Sequence, residues 1–266
     1  MTFVVKIGGG AGIDPGPALE DLAAIKDRPY VLVHGGSNET NELSERLGKP
    51  PRFVTSVSGH TSRYTDAETM DIFTMALAGK INVNLVARMQ RLGINAVGLT
   101  GVDGRLLEGT RKDTIRIVEG SKRLVLRGDH TGKVERVNAQ LLRAIMDAGY
   151  VPVVTVPAIS YEGEPVNADA DRAAAAVAAA LGAEALVILS NVPGLLRDLD
   201  DPDSLVTAIP RDRIDQSMDL AQGRMRKKVL GAKEALEMGV PKVIFASASG
   251  DRPVTRALEG GGTHIG

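Results

Sequence analysis

A lysine inside an apolar run is costly unless its ammonium group reaches an anion or water. Lys6 stands in such a run, Phe3-Val4-Val5-Lys6-Ile7, directly before Gly8, Gly9 and Gly10. A second glycine turn, Gly35-Gly36-Ser37, follows the apolar run that ends at His34. Glycine lets backbone N–H groups approach a phosphate with no Cβ in the way. Asn167, Asp169 and Asp171 open an alanine-rich stretch, and Gly223 is followed by Arg224, Arg226, Lys227 and Lys228. Phosphoryl transfer between anionic groups needs cations and N–H donors around the moving phosphate, because like charges must be screened. Each feature also has a plainer reading: a tight turn, a snorkelling lysine, a capping carboxylate or a solvated basic helix face. Capping accounts for one of the three polar residues at 167–171 but not readily for all three.

Other phosphate-binding patterns fail. No G-x-x-x-x-G-K-[ST] accompanies either glycine turn, and counting G-x-G-x-x-G from Gly8 ends on Ile13. The acidic residue expected after the second strand of a dinucleotide fold is replaced by His34-Gly35-Gly36. The protein-kinase signatures H-R-D and D-F-G are missing. With no cysteine, there is no disulfide, thiolate nucleophile or cysteine-ligated metal. The four histidines (His34, His60, His130, His264) do not sit at metal-ligand spacing, so no metal site is expected.

These residues need elements to carry them. Short β-branched runs at 3–7, 30–33, 95–99, 151–156, 185–189 and 242–245 predict buried parallel strands. Amphipathic segments at 17–26, 38–47, 66–92, 138–148, 169–181 and 218–238 predict the helices between them. Such alternation predicts an α/β fold, a three-layer αβα sandwich around a mostly parallel sheet. The two glycine turns would then line one crevice at the carboxyl ends of the strands. Residues 104–137, punctuated by Gly109, Gly120, Gly128 and Gly132, predict protruding hairpins, and a further hairpin is expected around Tyr161-Glu162-Gly163-Glu164. We expect two lobes sharing the sheet, 1–182 and 183–266. The 266 residues carry a net charge of −1, so no global field draws the chain to nucleic acid or a membrane surface. The apolar run after Met1 is too short for a signal peptide and no run approaches a membrane span, which predicts a cytoplasmic protein.

Taken in order, K-I-G-G-G, V-H-G-G-S, S-R-Y-T-D, G-L-T-G-V-D-G, V-N-A-D-A-D, L-S-N-V-P-G-L and G-R-M-R-K-K resemble the amino-acid kinase family, in its acetylglutamate-kinase branch. The resemblance runs from Lys6 to Thr263. It implies ATP as phosphoryl donor, Mg²⁺ arriving with the nucleotide, and an acyl phosphate as product. It implies that Lys6 and Lys228 stabilise the transferring group and that Asp171 holds both lysines. Gly8, Gly9, Gly10, Gly35 and Gly36 would line the phosphate and acceptor site. Arg63 would grip the substrate carboxylate and Asn167 its amide region. Ser190, Asn191, Gly194, Leu195, Gly223 and Met225 would border ATP. The choice of Lys228 over Lys227 rests on motif alignment alone. A homodimer through the long 66–92 helix is also implied. The hexamer-forming N-terminal extension of some relatives is not expected.

Two departures bear on the acceptor. Ser37 replaces the usual third glycine of the second turn, and residues 104–138 carry nine cations against five anions. The bland account is a solvated pair of edges protected by charge. G-R-L-L-E-G-T-R-K, R-G-D-H-T-G-K-V-E-R-V-N and L-A-Q-G-R-M-R-K-K, however, resemble the LysZ family, kinases of the carrier-protein route to lysine. That resemblance implies 2-aminoadipate attached to LysW, a small acidic carrier, with Arg111, Lys112 and Arg127 as carrier contacts. Acetylglutamate kinase, a carrier-linked glutamate kinase and a non-catalytic nucleotide-binding module are the alternatives.

Overall fold

The computed structural model describes residues 2–266 apart from Ser58, His60, Ser121, Leu199 and Gln222, together with the side chains of Pro202, Asp219 and Arg224. His60 and the Arg224 side chain, both named above, thus lie outside the described residues. The chain begins β1 (Phe3–Ile7), α1 (Gly16–Ala24), β2 (Tyr30–His34), α2 (Ser37–Arg46), β3 (Phe53–Ser56), β4 (Thr61–Arg63) and α3 (Ala67–Thr74). A π-helical segment, Met75–Asn82, joins α3 to α4 (Val83–Arg91). Next come β5 (Ala96–Thr100), β6 (Leu107–Glu119), β7 (Lys122–Val137), α5 (Ala139–Asp147), β8 (Val151–Thr155), β9 (Ala158–Ser160) and β10 (Pro165–Val166). The rest is α6 (Ala170–Leu181), β11 (Ala185–Ser190), β12 (Ala208–Ile209), α7 (Ile214–Leu220), α8 (Gly223–Glu237), β13 (Val243–Ser247), α9 (Pro253–Leu258) and β14 (Thr263–Ile265).

The main sheet runs β12-β14-β13-β11-β1-β2-β8-β5, and each adjacent pair is parallel except β13 with β14. Its central strands are apolar on both faces because both faces are covered. Val4, Val33, Ile188 and Phe245 enter a core with α3, α5, α6 and α8, whereas Val5, Leu32, Val187 and Ile244 enter a second core with α1, α4 and α9. One residue of each strand up and the next down is the period-two alternation of a pleated strand. The expected α/β three-layer arrangement is therefore the observed one.

A second sheet, β10-β9-β6-β3-β4 with β7 on β6, projects from the first. The expected hairpins at 104–137 are one long hairpin. Gly120 (φ 61°) lies at the turn between β6 and β7, but Gly109 and Gly132 lie inside strands. A Cβ at Gly109 would stand 1.9 Å from the Lys133 carbonyl oxygen, and one at Gly132 would stand 2.2 Å from that of Thr110. The backbones pass this closely near the register shift at Glu108/Gly109, so these glycines mark close approach rather than turns. The smaller hairpin is as expected, with β9 and β10 antiparallel and Gly163 at φ 92°.

Two helices differ from expectation. The 66–92 helix is interrupted by its π segment, and the 218–238 helix is two: α7 ends at Leu220 and Ala221 after it is extended (ψ 122°), before α8 starts at Gly223. Strands β3, β4, β12 and β14 and helix α9 are short elements without a long apolar period, and the sequence reading did not assign them.

Candidate active site

The crevice lies where the sheet's parallel strands end. β1 runs into Gly8-Gly9-Gly10 and β2 into Gly35-Gly36, in register through Ile7 and His34. The two turns touch: a Cβ at Gly9 would lie 2.1 Å from the Gly36 nitrogen and 2.4 Å from the Gly35 carbonyl carbon. Neither turn could approach the other with a side chain at position 9. Two of the glycines named as donors are otherwise engaged, since Gly8 N–H donates to the Leu189 carbonyl (3.0 Å) and Gly35 N–H to that of Ile7 (3.1 Å). These continue the parallel ladders. Among the described residues no acceptor stands opposite the N–H groups of Gly9, Gly10 and Gly36.

Lys6, 5% exposed, projects from β1 to Asp171, with its Nζ 2.7 Å from Oδ1. Lys228 of α8 places Nζ 3.1 Å from Oδ2 of the same carboxylate. The contact of Lys228 is a hydrogen bond; that of Lys6 is an ion pair whose angles leave Oδ1 without one. Burial alone would raise the Asp171 pKa, but the two ammonium groups overcome this and hold the carboxyl far below its usual range. Burial lowers the pKa of Lys228, with the Lys6 charge acting in the same direction and Asp171 against it. Asp169 supplies the α6 cap instead, accepting from the backbone N–H of Asp171 and Arg172 (both 3.0 Å).

The ambiguity between the adjacent lysines has a geometric answer. Lys227 points the other way and donates to the Thr61 carbonyl at 2.6 Å, so only Lys228 joins the buried triad.

Arg63 ends β4 and is 8% exposed. Its Nη2 donates to Asn41 Oδ1 at 2.5 Å, its guanidinium lies 5.1 Å from the centre of the Phe53 ring, and its Nη1 is buried with no partner. Burial lowers its pKa. An unpartnered guanidinium nitrogen in such a place is a ready donor for a carboxylate. Asn167 donates from Nδ2 to Thr65 Oγ1 at 2.9 Å. Thr65 N–H in turn donates to buried Asp129 (3.1 Å), and Tyr64 donates to the Arg127 carbonyl (2.6 Å). The long hairpin is thereby stitched to the Arg63–Asn167 side of the crevice. Neither Asn41, Thr65 nor Asp129 was singled out in the sequence, because no local pattern brings residues 41, 65 and 129 together.

Ser190 closes β11 and Asn191 follows it, exposed. Gly194 and Leu195 are buried. A Cβ at Gly194 would stand 2.4 Å from Thr263 Oγ1, and Leu195 packs in the core. Their ordering comes from Thr263, whose Oγ1 accepts from Leu195 N–H at 2.8 Å. Gly223 starts α8 at φ 51°, and Met225 is partly buried against the core.

Of the three cations assigned to carrier contact, Arg111 is committed internally. It donates to the Asp129 carbonyl (3.0 Å) and Glu164 (2.5 Å), and its side chain is 14% exposed. Its guanidinium holds the Glu164 pKa down. Lys112 and Arg127 are exposed, and with Arg116, Lys122, Arg123 and Lys133 they have no ion pair among the described residues. Arg105 and Arg136 pair with Glu108. Among the described residues no group of three His, Asp or Glu is disposed to hold a metal ion, and no helix is long and apolar enough to cross a membrane.

The chain is 55% identical over 265 residues to a LysW-aminoadipate kinase of Deinococcus radiodurans, covering 99% of this chain and 91% of that one. It is 50% identical over 267 residues to a LysW-aminoadipate kinase of Thermus thermophilus, covering 99% of each. An acetylglutamate kinase of Methanopyrus kandleri is 39% identical over 264 residues, covering 98% of this chain and 99% of that one. Among solved structures, carbamate kinase from Giardia superposes with a TM-score of 0.71 at 18% identity, covering 99% of this chain and 98% of that one, a likeness of fold. The amino acid kinase family model matches residues 1–247, and the chain belongs to the amino acid kinase family.

Proposed function

We propose that this protein transfers the γ-phosphoryl group of ATP to the side-chain carboxylate of 2-aminoadipate, carried through its amino group on a LysW-type acidic protein, as a step of lysine biosynthesis. Relatives at 50% and 55% identity, both named LysW-aminoadipate kinase, support the acceptor, and the family supports ATP as donor. The observation that carries the chemistry is the Lys6–Asp171–Lys228 triad at the end of β1, beside the Gly9–Gly36 contact.

A carboxylate oxygen of the acceptor attacks the γ-phosphorus. The new O–P bond forms as the bond to the β-phosphate oxygen breaks, and ADP leaves with that electron pair. Lys6 and Lys228 flank the transferring group from either side of Asp171, which keeps the two ammonium groups apart and positioned. The free N–H groups of Gly9, Gly10 and Gly36 receive the equatorial oxygens. Arg63 Nη1 takes the carboxylate at the amino-acid end and Asn167 the amide linking it to the carrier. Mg²⁺ enters as part of the Mg–ATP substrate, held mainly by phosphates and water. Residues 183–266 bind the nucleotide at Ser190, Asn191, Gly194, Gly223 and Met225, and residues 1–182 bind the acceptor. Leu195 serves this segment as its core anchor. Lys112 and Arg127 meet the acidic carrier by charge complementarity. Exposed Met75, at the start of the π-helical segment, and Val83, at the start of α4, support a homodimer.

Trapping the acyl phosphate with hydroxylamine tests the reading. Carrier-linked aminoadipate should yield hydroxamate at far higher kcat/KM than carrier-linked glutamate or free acetylglutamate. Equal or faster turnover of acetylglutamate would overturn the acceptor while leaving the chemistry.

A further inference from the structure

Beneath the second glycine turn lies a buried polar cluster to which the chemistry above gives no part. His34 ends β2 and is 1% exposed. Its Nδ1 stands 3.1 Å from the Gly35 carbonyl oxygen. A carbonyl only accepts, so Nδ1 carries the proton, and in the neutral ring Nε2 is bare. Nε2 lies 3.0 Å from Nδ2 of Asn82, which also donates to the Val153 carbonyl at 3.0 Å. The two hydrogens of one amide nitrogen thus serve the ring and the sheet, and one tautomer satisfies both ring nitrogens. Burial, with the Lys6 charge beside it, lowers the ring pKa to about 4 against the opposing effect of the Gly35 carbonyl. Asn82 is itself placed with care. It ends the π-helical segment, a kind of irregularity often found at functional sites. Its Oδ1 stands 2.0 Å from where a Cβ on Gly98 would be, so the edge strand β5 must carry glycine there.

The consequence reaches the crevice through one peptide plane. In a trans peptide the carbonyl and the following N–H point in opposite directions. The ring that holds the Gly35 carbonyl therefore turns the Gly36 N–H away from itself. That nitrogen lies where the two turns touch, close to Gly9, and has no acceptor among the described residues. We propose that His34, braced by Asn82, is a positioning residue that aims the Gly36 amide at the transferring phosphoryl group. The inference rests on the kinase reading above, though not on the identity of the acceptor.

Three variants test it: His34→Asn, which keeps a donor at the Nδ1 position, and His34→Leu and Asn82→Leu, which remove the ring or its brace. His34→Leu should lower kcat about 10- to 100-fold, the loss typical of one misaimed donor. KM for the acceptor should change less than about threefold, and His34→Asn should recover most of kcat. Calorimetric titration without acceptor should show His34→Leu losing preference for ATP over ADP, since only ATP offers the γ-phosphate. Equal impairment of His34→Asn and His34→Leu, or near-normal kcat in folded His34→Leu, would overturn the proposal. If His34→Leu does not fold, Asn82→Leu carries the test, and near-normal kcat there overturns it equally. Failure of every acceptor to yield hydroxamate would defeat the acceptor assignment alone, because the ATP-over-ADP titration needs no acceptor.

Discussion

Asp171 is the residue on which the buried charges turn. Two ammonium groups share its carboxylate, so one residue offsets part of the cost of burying the other two. Lys6→Ala and Lys228→Ala should each lower kcat by about two to three orders of magnitude, as removal of transition-state charge stabilisation does; single-turnover hydroxamate formation reads this directly. Asp171→Asn should also unfold more easily, by about 3–5 kcal/mol in denaturant melts, because it leaves buried ammonium groups without a counter-charge. His34 makes a pH prediction with a definite sign. Its folded pKa is about 4 against an ordinary 6.5. Between these values the unfolded chain binds a proton that the folded one does not, so the folded state loses stability as pH falls from 6.5 to 4. Above 6.5 the contribution is complete. Melting temperatures across this window should fall less steeply for His34→Asn than for the natural chain.

At the scale of elements, the long hairpin β6–β7 is both a platform and a brace. The middle of β7 is tied to the Arg63–Asn167 side of the crevice by Tyr64, Thr65, Asp129 and Asn167, while the exposed Lys112 and Arg127 have no ion pair among the described residues. Arg111 belongs to the brace, so its reversal would damage the fold around Asp129 rather than report on docking. Reversing Lys112 and Arg127 to Glu should instead lower kcat/KM for the carrier-linked acceptor and spare kcat. The loss should be larger at low salt, where unscreened charges steer association. A salt series of kcat/KM on the carrier substrate is the measurement; a flat series equal to that of the unaltered protein would remove the hairpin from docking.

Across the whole molecule, α8 joins two regions of the crevice by two neighbouring lysines. Lys228 enters the triad, and Lys227 holds the Thr61 carbonyl, two residues from Arg63. The buried triad and the end of β4 are therefore linked through one helix. Lys227→Met should raise the acceptor KM by about three- to tenfold, the loss of one charged hydrogen bond, with little change in the affinity for ATP measured alone. Steady-state kinetics with the acceptor varied at saturating ATP distinguishes this from a loss in kcat.

Much was legible in one dimension because its physics is local. Short continuous apolar runs specified the buried strands, glycine doublets marked the two turns that meet at their ends, and the ordered motifs pointed to the family. Strand ends such as His34 and Ser190 escaped by one residue because polar side chains there are buried by neighbours distant in sequence. Only the tertiary structure decided how the charges are spent. It separated Lys228 from Lys227 and Asp171 from Asp169, committed Arg111 to the interior, and showed Gly8 and Gly35 donating to the sheet rather than to a ligand. Residue type determines what a side chain can do, but which partner lies within about 3 Å, the reach of a hydrogen bond, depends on segments brought together across the whole chain.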